Sequence, residues 1–68
     1  MVDYNAYFVN DAGHIVGVVS IWSSTDDEAL LAGRGLLVRS MFPCMEIWNR
    51  THCVAIVDRE VVGGASPH

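Results

Sequence analysis

A single helix is predicted within residues 25–43, which read TDDEALLAGRGLLVRSMFP. Thr25 and Glu28 form a capping box, in which the Thr25 hydroxyl accepts from the amide of Glu28 and the Glu28 carboxylate accepts from the amide of Thr25. Asp26 and Asp27 add negative charge beside the positive end of the helix dipole. The helix is therefore expected to begin immediately after Thr25.

The end of this stretch predicts where the helix stops and which side it buries. Pro43 disfavours helical backbone in the residue before it, so the helix is expected to end at Ser40 or Met41. With 3.6 residues per turn, one side is apolar and includes Gly33, where the missing side chain would allow a close approach to a sheet. The predicted buried stripe comprises Ala29, Leu30, Gly33, Leu36, Leu37, Ser40 and Met41.

The residues before the helix predict a β-hairpin. Residues 2–10 and 14–23 are rich in β-branched and aromatic residues, which favour strands. Between them, Gly13 ends a cluster of turn-forming residues and suits the left-handed conformation that closes a tight turn. This turn is expected to place Val9 opposite Ile15.

The residues after the helix predict a second hairpin from segments 44–49 and 52–58, although its tip at 50–51 lacks the glycine or asparagine typical of a two-residue turn. The order of elements is then ββαββ. The expected fold class is α+β, with a four-stranded antiparallel sheet and one helix packed on one face. Residues 1–58 are expected to form a single domain, and residues 59–68 a flexible C-terminal tail.

Strict alternation of side chains along the four strands predicts that both faces of the sheet are apolar. Turning either hairpin over still leaves one apolar face that a single helix does not cover. The face expected to lie under the helix carries Tyr7, Val9, Ile15, Val19, Ile21, Met45, Ile47, Val54 and Ile56.

The second apolar face predicts self-association. Single exposed hydrophobic residues are ordinary, but ten on one face would exceed the apolar area that a monomer usually exposes. A chain this short also buries a small fraction of its surface, so its stability as a monomer is expected to be marginal. We therefore expect a sheet-to-sheet homodimer, whose interface comprises Tyr4, Ala6, Phe8, Val16, Val18, Trp22, Trp48, Cys53, Ala55 and Val57.

The composition argues against several classes of function. Hydrophobic residues make up 51% of the 68-residue chain, charged residues make up 18%, and the net charge is −4. Because the four basic residues form no basic patch, neither nucleic acid nor an anionic membrane surface is an expected partner. No signal peptide or membrane-spanning segment is evident, which favours a cytoplasmic location.

Short motifs in three strands and at the helix start resemble a group of small bacterial proteins of about this length. The resemblance covers residues 4–57 and implies a ββαββ architecture. The group has no assigned activity, substrate or cofactor, so no mechanism is implied. Its members usually have aspartate in place of Ala12 and glycine in place of Arg50. The motifs are Ala6-Tyr7, Gly13-His14-Ile15, Asp26-Asp27-Glu28-Ala29 and Met45-Glu46-Ile47-Trp48.

No pattern of residues predicts a catalytic, cofactor-binding or metal site. The acidic residues 26–28 are explained by helix capping, and a hard cation needs oxygen ligands from more than one segment. Cys44 and Cys53 lack the paired spacing of zinc ligands. They also lie too far apart in the expected register for a disulfide, so free thiols are expected.

The expected function is a small, non-catalytic homodimeric interaction module, whose protein partner the sequence does not identify. The alternative is a small-molecule-binding module with an apolar pocket between helix and sheet, lined by Tyr7, Trp22 or Met41. An enzyme is not expected, since no convergent set of polar groups is visible.

Overall fold

The structure, a computed structural model, describes residues 1–59; residues 60–68 lie outside the described part. The sheet has the strand order β2-β1-β3-β4, and all neighbouring strands are antiparallel. The predicted α+β fold, a four-stranded antiparallel sheet with one helix, is confirmed. The elements are β1 Val2–Val9, β2 Ile15–Ser23, α1 Asp26–Arg39, β3 Cys44–Asn49 and β4 His52–Asp58.

The two central strands are β1 and β3, which are the first strands of the two hairpins. Asn5 pairs with Trp48 and Tyr7 pairs with Glu46 across this central pair. The helix connects the edge strand β2 to the central strand β3 on the far side of β1. The sheet is therefore held together by contacts between residues that are distant in sequence.

The turn between β1 and β2 has the predicted chemistry. Gly13 has a φ of 83°, the left-handed conformation that glycine adopts without steric cost. The Asn10 side-chain oxygen accepts from the amides of Ala12 and His14, each at 3.0 Å. This arrangement fixes the pairing of Val9 with Ile15.

The helix begins where the capping residues predict. Thr25 is the N-cap, and its hydroxyl accepts from the Glu28 amide at 3.2 Å. The Glu28 carboxylate accepts from the amide of Ser24 at 3.1 Å, and not from that of Thr25 as predicted. The helix ends at Arg39 with Ser40 as its C-cap, one or two residues earlier than expected.

Arg59, the first residue of the predicted C-terminal tail, makes hydrogen bonds at the C-terminal end of the helix. Its guanidinium donates to the carbonyl oxygens of Phe42, Leu37 and Ser40. Its amide donates to the carbonyl oxygen of Pro43 at 2.8 Å. The positive charge of Arg59 also interacts favourably with the negative end of the helix dipole. The rest of the predicted tail lies outside the described residues.

The core lies between the helix and one face of the sheet, called here the covered face. A Cβ built on Gly33 would lie only 2.5 Å from Cδ1 of Ile47, so the predicted close approach of the helix is confirmed. Met41 was predicted to be buried, but it is 94% exposed because the helix has already ended. The buried cluster comprises Tyr4, Ala6, Ile21, Ala29, Leu37, Met45, Ile47 and Val57.

Two β-bulges change which residues share a face. Val16 has no partner in the first hairpin and Val54 has none in the second. Each hairpin has the predicted register beside its turn, and beyond the bulge each is shifted by one residue. A shift of one residue moves every later side chain to the opposite face. The predicted covered face was therefore wrong for Tyr7, Val9, Ile15 and Ile56, which lie on the other face.

Arg50 at the tip of the second hairpin has a φ of 59°, a left-handed conformation that costs a non-glycine residue about 1 kcal/mol or more. We expect Arg50→Gly to stabilise the monomer by about 1 kcal/mol, which raises Tm by several degrees in a domain of this size. Thermal unfolding at two protein concentrations checks this and separates any effect on association. Thr51→Gly is the control, and a lower Tm for Arg50→Gly would contradict the prediction.

Candidate functional site

The opposite side of the sheet carries no helix and is called here the uncovered face. Side chains that are partners in register lie on the same side, so the pairings define this face directly. Nine of its fourteen residues are apolar or cysteine, and two of the five polar residues, Asn5 and Glu46, lie on the central strands. The uncovered face comprises Asp3, Asn5, Tyr7, Val9, Ile15, Val18, Ser20, Trp22, Cys44, Glu46, Trp48, Cys53, Ile56 and Asp58.

Several large apolar side chains of the uncovered face project into solvent. Trp22 is 68% exposed, Ile56 is 65% exposed and Val18 is 56% exposed. A bare face of an antiparallel sheet is ordinarily polar. Trp22 and Val18 lie on the edge strand β2 and Ile56 lies on the edge strand β4, so the most exposed apolar groups flank the two central strands. Large apolar groups left exposed on one face are typical of interaction surfaces.

A depression of about 340 Å³ lies on this face. It is open to solvent, and its walls combine two aromatic rings with one acidic and one basic side chain. The Glu46 carboxylate accepts a hydrogen bond from the indole nitrogen of Trp48 at 3.1 Å, which fixes the orientation of the Trp48 ring. The lining residues are Tyr7, Ile15, Glu46, Trp48 and Arg50.

The structure divides the ten residues of the predicted interface between the two faces. Four of them lie on the uncovered face: Val18, Trp22, Trp48 and Cys53. Val16 lies at the bulge and is exposed. The prediction was wrong for the other five, which belong to the covered face because the bulges shift the register; these are Tyr4, Ala6, Phe8, Ala55 and Val57.

Sequence reasoning missed four apolar residues of the uncovered face: Tyr7, Val9, Ile15 and Ile56. Alternation alone assigned them to the helix side, and no residue near Val16 or Val54 marks a bulge clearly. The glycine next to Val16 is the one signal in the sequence, since glycine inside a strand often accompanies a bulge.

The predicted pocket between helix and sheet is not assembled from the residues proposed for it. Tyr7 and Trp22 lie on the uncovered face, away from the helix. Met41 is almost fully exposed beyond the helix end. Tyr7 instead lines the depression on the uncovered face, together with Trp48.

Both cysteines are free thiols on the uncovered face. Cys44 pairs with Asp58, whereas Cys53 pairs with Trp48, so the two lie well apart along the strands. Burial raises the pKa of the Cys44 thiol, and the negative charge of Asp58 raises it further. A raised pKa lowers the fraction of reactive thiolate at neutral pH.

Tyr4 connects the sheet to the start of the helix. Its hydroxyl donates to the Asp26 carboxylate at 2.7 Å, and its ring is buried in the core. This hydrogen bond raises the pKa of the Tyr4 phenol, and burial and the nearby charges of Asp26 and Glu28 add to the effect. Among residues 1–59, no three histidine, cysteine, aspartate or glutamate side chains are placed to hold a metal ion.

The functional proposal for this protein rests on its fold and its uncovered face. No protein-family model matches the chain, and no match was found among curated proteins or among solved structures. Within the described residues, the helix is too short to cross a lipid bilayer.

Proposed function

We propose that this protein is a small, non-catalytic homodimeric interaction module whose two copies pair through the uncovered face. The observation that carries the proposal is the apolar side chains of this face, of which Trp22, Ile56 and Val18 are all more than half exposed. Pairing of two copies would remove these side chains from water and supply the stability that a chain of this size otherwise lacks.

The area of the uncovered face supports a dimer that dissociates on dilution. The four strands have 8, 9, 6 and 7 residues. At about 4.8 Å between strands and 3.3 Å per residue, the face covers roughly 450 Å². Two such faces would bury roughly 900 Å² or somewhat more, which is near the lower limit for a specific interface. We therefore expect a reversible equilibrium between monomer and dimer.

We also propose a bacterial origin and a cytoplasmic location for this module. The resemblance to small bacterial proteins supports a bacterial origin. Free thiols at Cys44 and Cys53 support a reducing compartment such as the cytoplasm. The net charge of −4 argues against a nucleic-acid partner.

Sedimentation velocity across micromolar concentrations tests the dimer, and the expected mass at the upper end is twice that of one chain. Ile56→Lys should shift the protein to monomers because it places a charge on the edge strand β4, within the apolar surface that the second copy would cover. The new ammonium lies opposite Glu46 in register, so the monomer should tolerate it. Leu31→Lys is the matched control, since Leu31 is 67% exposed on the outer side of the helix.

Two results would contradict the dimer. The first is a wild-type mass of one chain at all concentrations, and the second is an equal loss of dimer in both variants.

The alternative function, a small-molecule-binding module, is favoured by one observation. The depression of about 340 Å³ lies within the size range of ligand sites and combines aromatic walls with two charged groups. A thermal-shift screen against metabolites tests it, because a ligand that binds the folded state raises Tm in a saturable way. Saturable stabilisation that Trp48→Ala abolishes would favour this alternative over the interaction module.

A further inference from the structure

We propose that Trp22 of each copy inserts into the depression of the other copy, so that one contact made twice anchors the homodimer. This inference rests on the proposed function. The supporting juxtaposition is that the most exposed aromatic side chain and the depression lie on the same face of one chain. In a two-fold symmetric pair, a projection and a recess on the same surface meet twice.

The depression suits an indole ring. Its volume of about 340 Å³ is large enough for one aromatic side chain, and its walls include the rings of Tyr7 and Trp48. Aromatic pairs gain energy beyond their buried area when the rings stack with an offset or meet edge to face. The Arg50 guanidinium in the same lining adds a cation that favours an aromatic ring.

Within one chain, Trp22 does not occupy the depression. Trp22 lies on the edge strand β2 opposite Asp3, whereas Glu46 and Trp48 lie on β3, beyond the intervening strand β1. The indole is 68% exposed in the single chain, so the depression of its own chain does not bury it.

Charge complementarity supports the same pairing. Asp3 is the register partner of Trp22, and its carboxylate is exposed beside the indole. Arg50 is the basic residue in the lining of the depression. An indole that enters the depression brings Asp3 of its own copy toward Arg50 of the other. Attraction between these charges would select this arrangement over sliding of the two faces.

The backbone of Arg50 is consistent with this role. Among residues 1–59 it is the one non-glycine residue with a positive φ, at 59°. Such strain is typically retained where the residue contributes to function. The same substitution that relieves the strain, Arg50→Gly, should therefore weaken the dimer.

The first test measures the dimer dissociation constant by sedimentation equilibrium. Trp22→Ala should weaken the dimer at least about 30-fold, the effect of removing a large aromatic residue that dominates an interface. Trp22→Phe should weaken it only a few-fold because the ring is kept. Leu31→Ala, an exposed apolar truncation on the helix, should leave the constant unchanged. Since Trp22 is exposed in the monomer, circular dichroism should show that each variant folds.

The second test exchanges the two charges. Asp3→Arg and Arg50→Asp should each weaken the dimer about tenfold or more, since like charges then face each other across the interface. The double variant should recover most of the wild-type affinity.

The outcomes separate this inference from the proposed function. If the wild type dimerises but Trp22→Ala has no effect, or the double variant does not recover, the anchor is overturned and the dimer stands. If the wild type is monomeric throughout, the proposed function itself is overturned.

Discussion

Gly33→Ala is expected to destabilise the fold by about 1 kcal/mol, although alanine favours a helix over glycine by about the same amount. The new Cβ would lie 2.5 Å from Cδ1 of Ile47 and 3.2 Å from Sδ of Met45, and both side chains are fully buried. Overpacking of this kind costs about 1–3 kcal/mol, which exceeds the gain in helix propensity. Urea denaturation of the variant and the wild type measures the difference.

Gly35→Ala is the matched control, because a Cβ at Gly35 meets no atom within 4 Å. It should stabilise the fold by about 1 kcal/mol. Ile47→Val removes the Cδ1 atom that the new methyl group would meet. Gly33→Ala should therefore be less harmful in the Ile47→Val background than in the wild type. Equal stabilisation by the two alanine variants would contradict a close helix–sheet approach at Gly33.

Arg59→Ala is expected to lower the free energy of unfolding by about 2 kcal/mol. The guanidinium donates to carbonyl oxygens of Leu37, Ser40 and Phe42 at the end of the helix. Hydrogen bonds from a charged group contribute about 1.5–3 kcal/mol, and the helix dipole adds a smaller amount. Chemical denaturation of the full 68-residue chain measures the loss.

Arg39→Ala is the control for Arg59, since Arg39 lies exposed in the last turn of the same helix. Its removal should change the stability by less than about 0.5 kcal/mol. Arg59→Lys keeps the charge but not the planar set of donors, so it should fall between the wild type and Arg59→Ala. If Arg59→Ala and Arg39→Ala have the same small effect, Arg59 does not cap the helix.

Local chemistry made the elements predictable. Gly13 and Asn10 define one turn, Thr25 and Glu28 define the helix start, and Pro43 limits its end. Each of these signals acts within a few residues, so the backbone has few alternatives. The role of Gly33 was also predictable, because glycine on the buried side of a helix needs a packing explanation.

The faces of the strands were harder to predict because they depend on register over the full length of each hairpin. One extra residue at Val16 and another at Val54 reverse the alternation beyond them. A bulge is selected by the packing of the completed sheet, and that packing is not encoded in a local pattern. The expectation of a second apolar face depended less on the register, because both sides of these strands are rich in apolar residues.

Arg59 was missed for a related reason. Its partners are carbonyl oxygens at the end of the helix, far from it in sequence. An arginine before a glycine-rich segment is typical of a solvated tail, and only the three-dimensional path of β4 brings it beside the helix. Contacts of this kind have no periodicity that a sequence pattern could reveal.

Because β1 is a central strand, its two edges are paired at different times during synthesis. The first hairpin can close as soon as it leaves the ribosome, because its pairing is local. The inner edge of β1 then waits for β3, which is made only after the helix. Until that strand arrives, the nascent chain presents an unpaired edge that neighbouring chains can occupy. Slow translation between the helix and β3 would prolong this exposure.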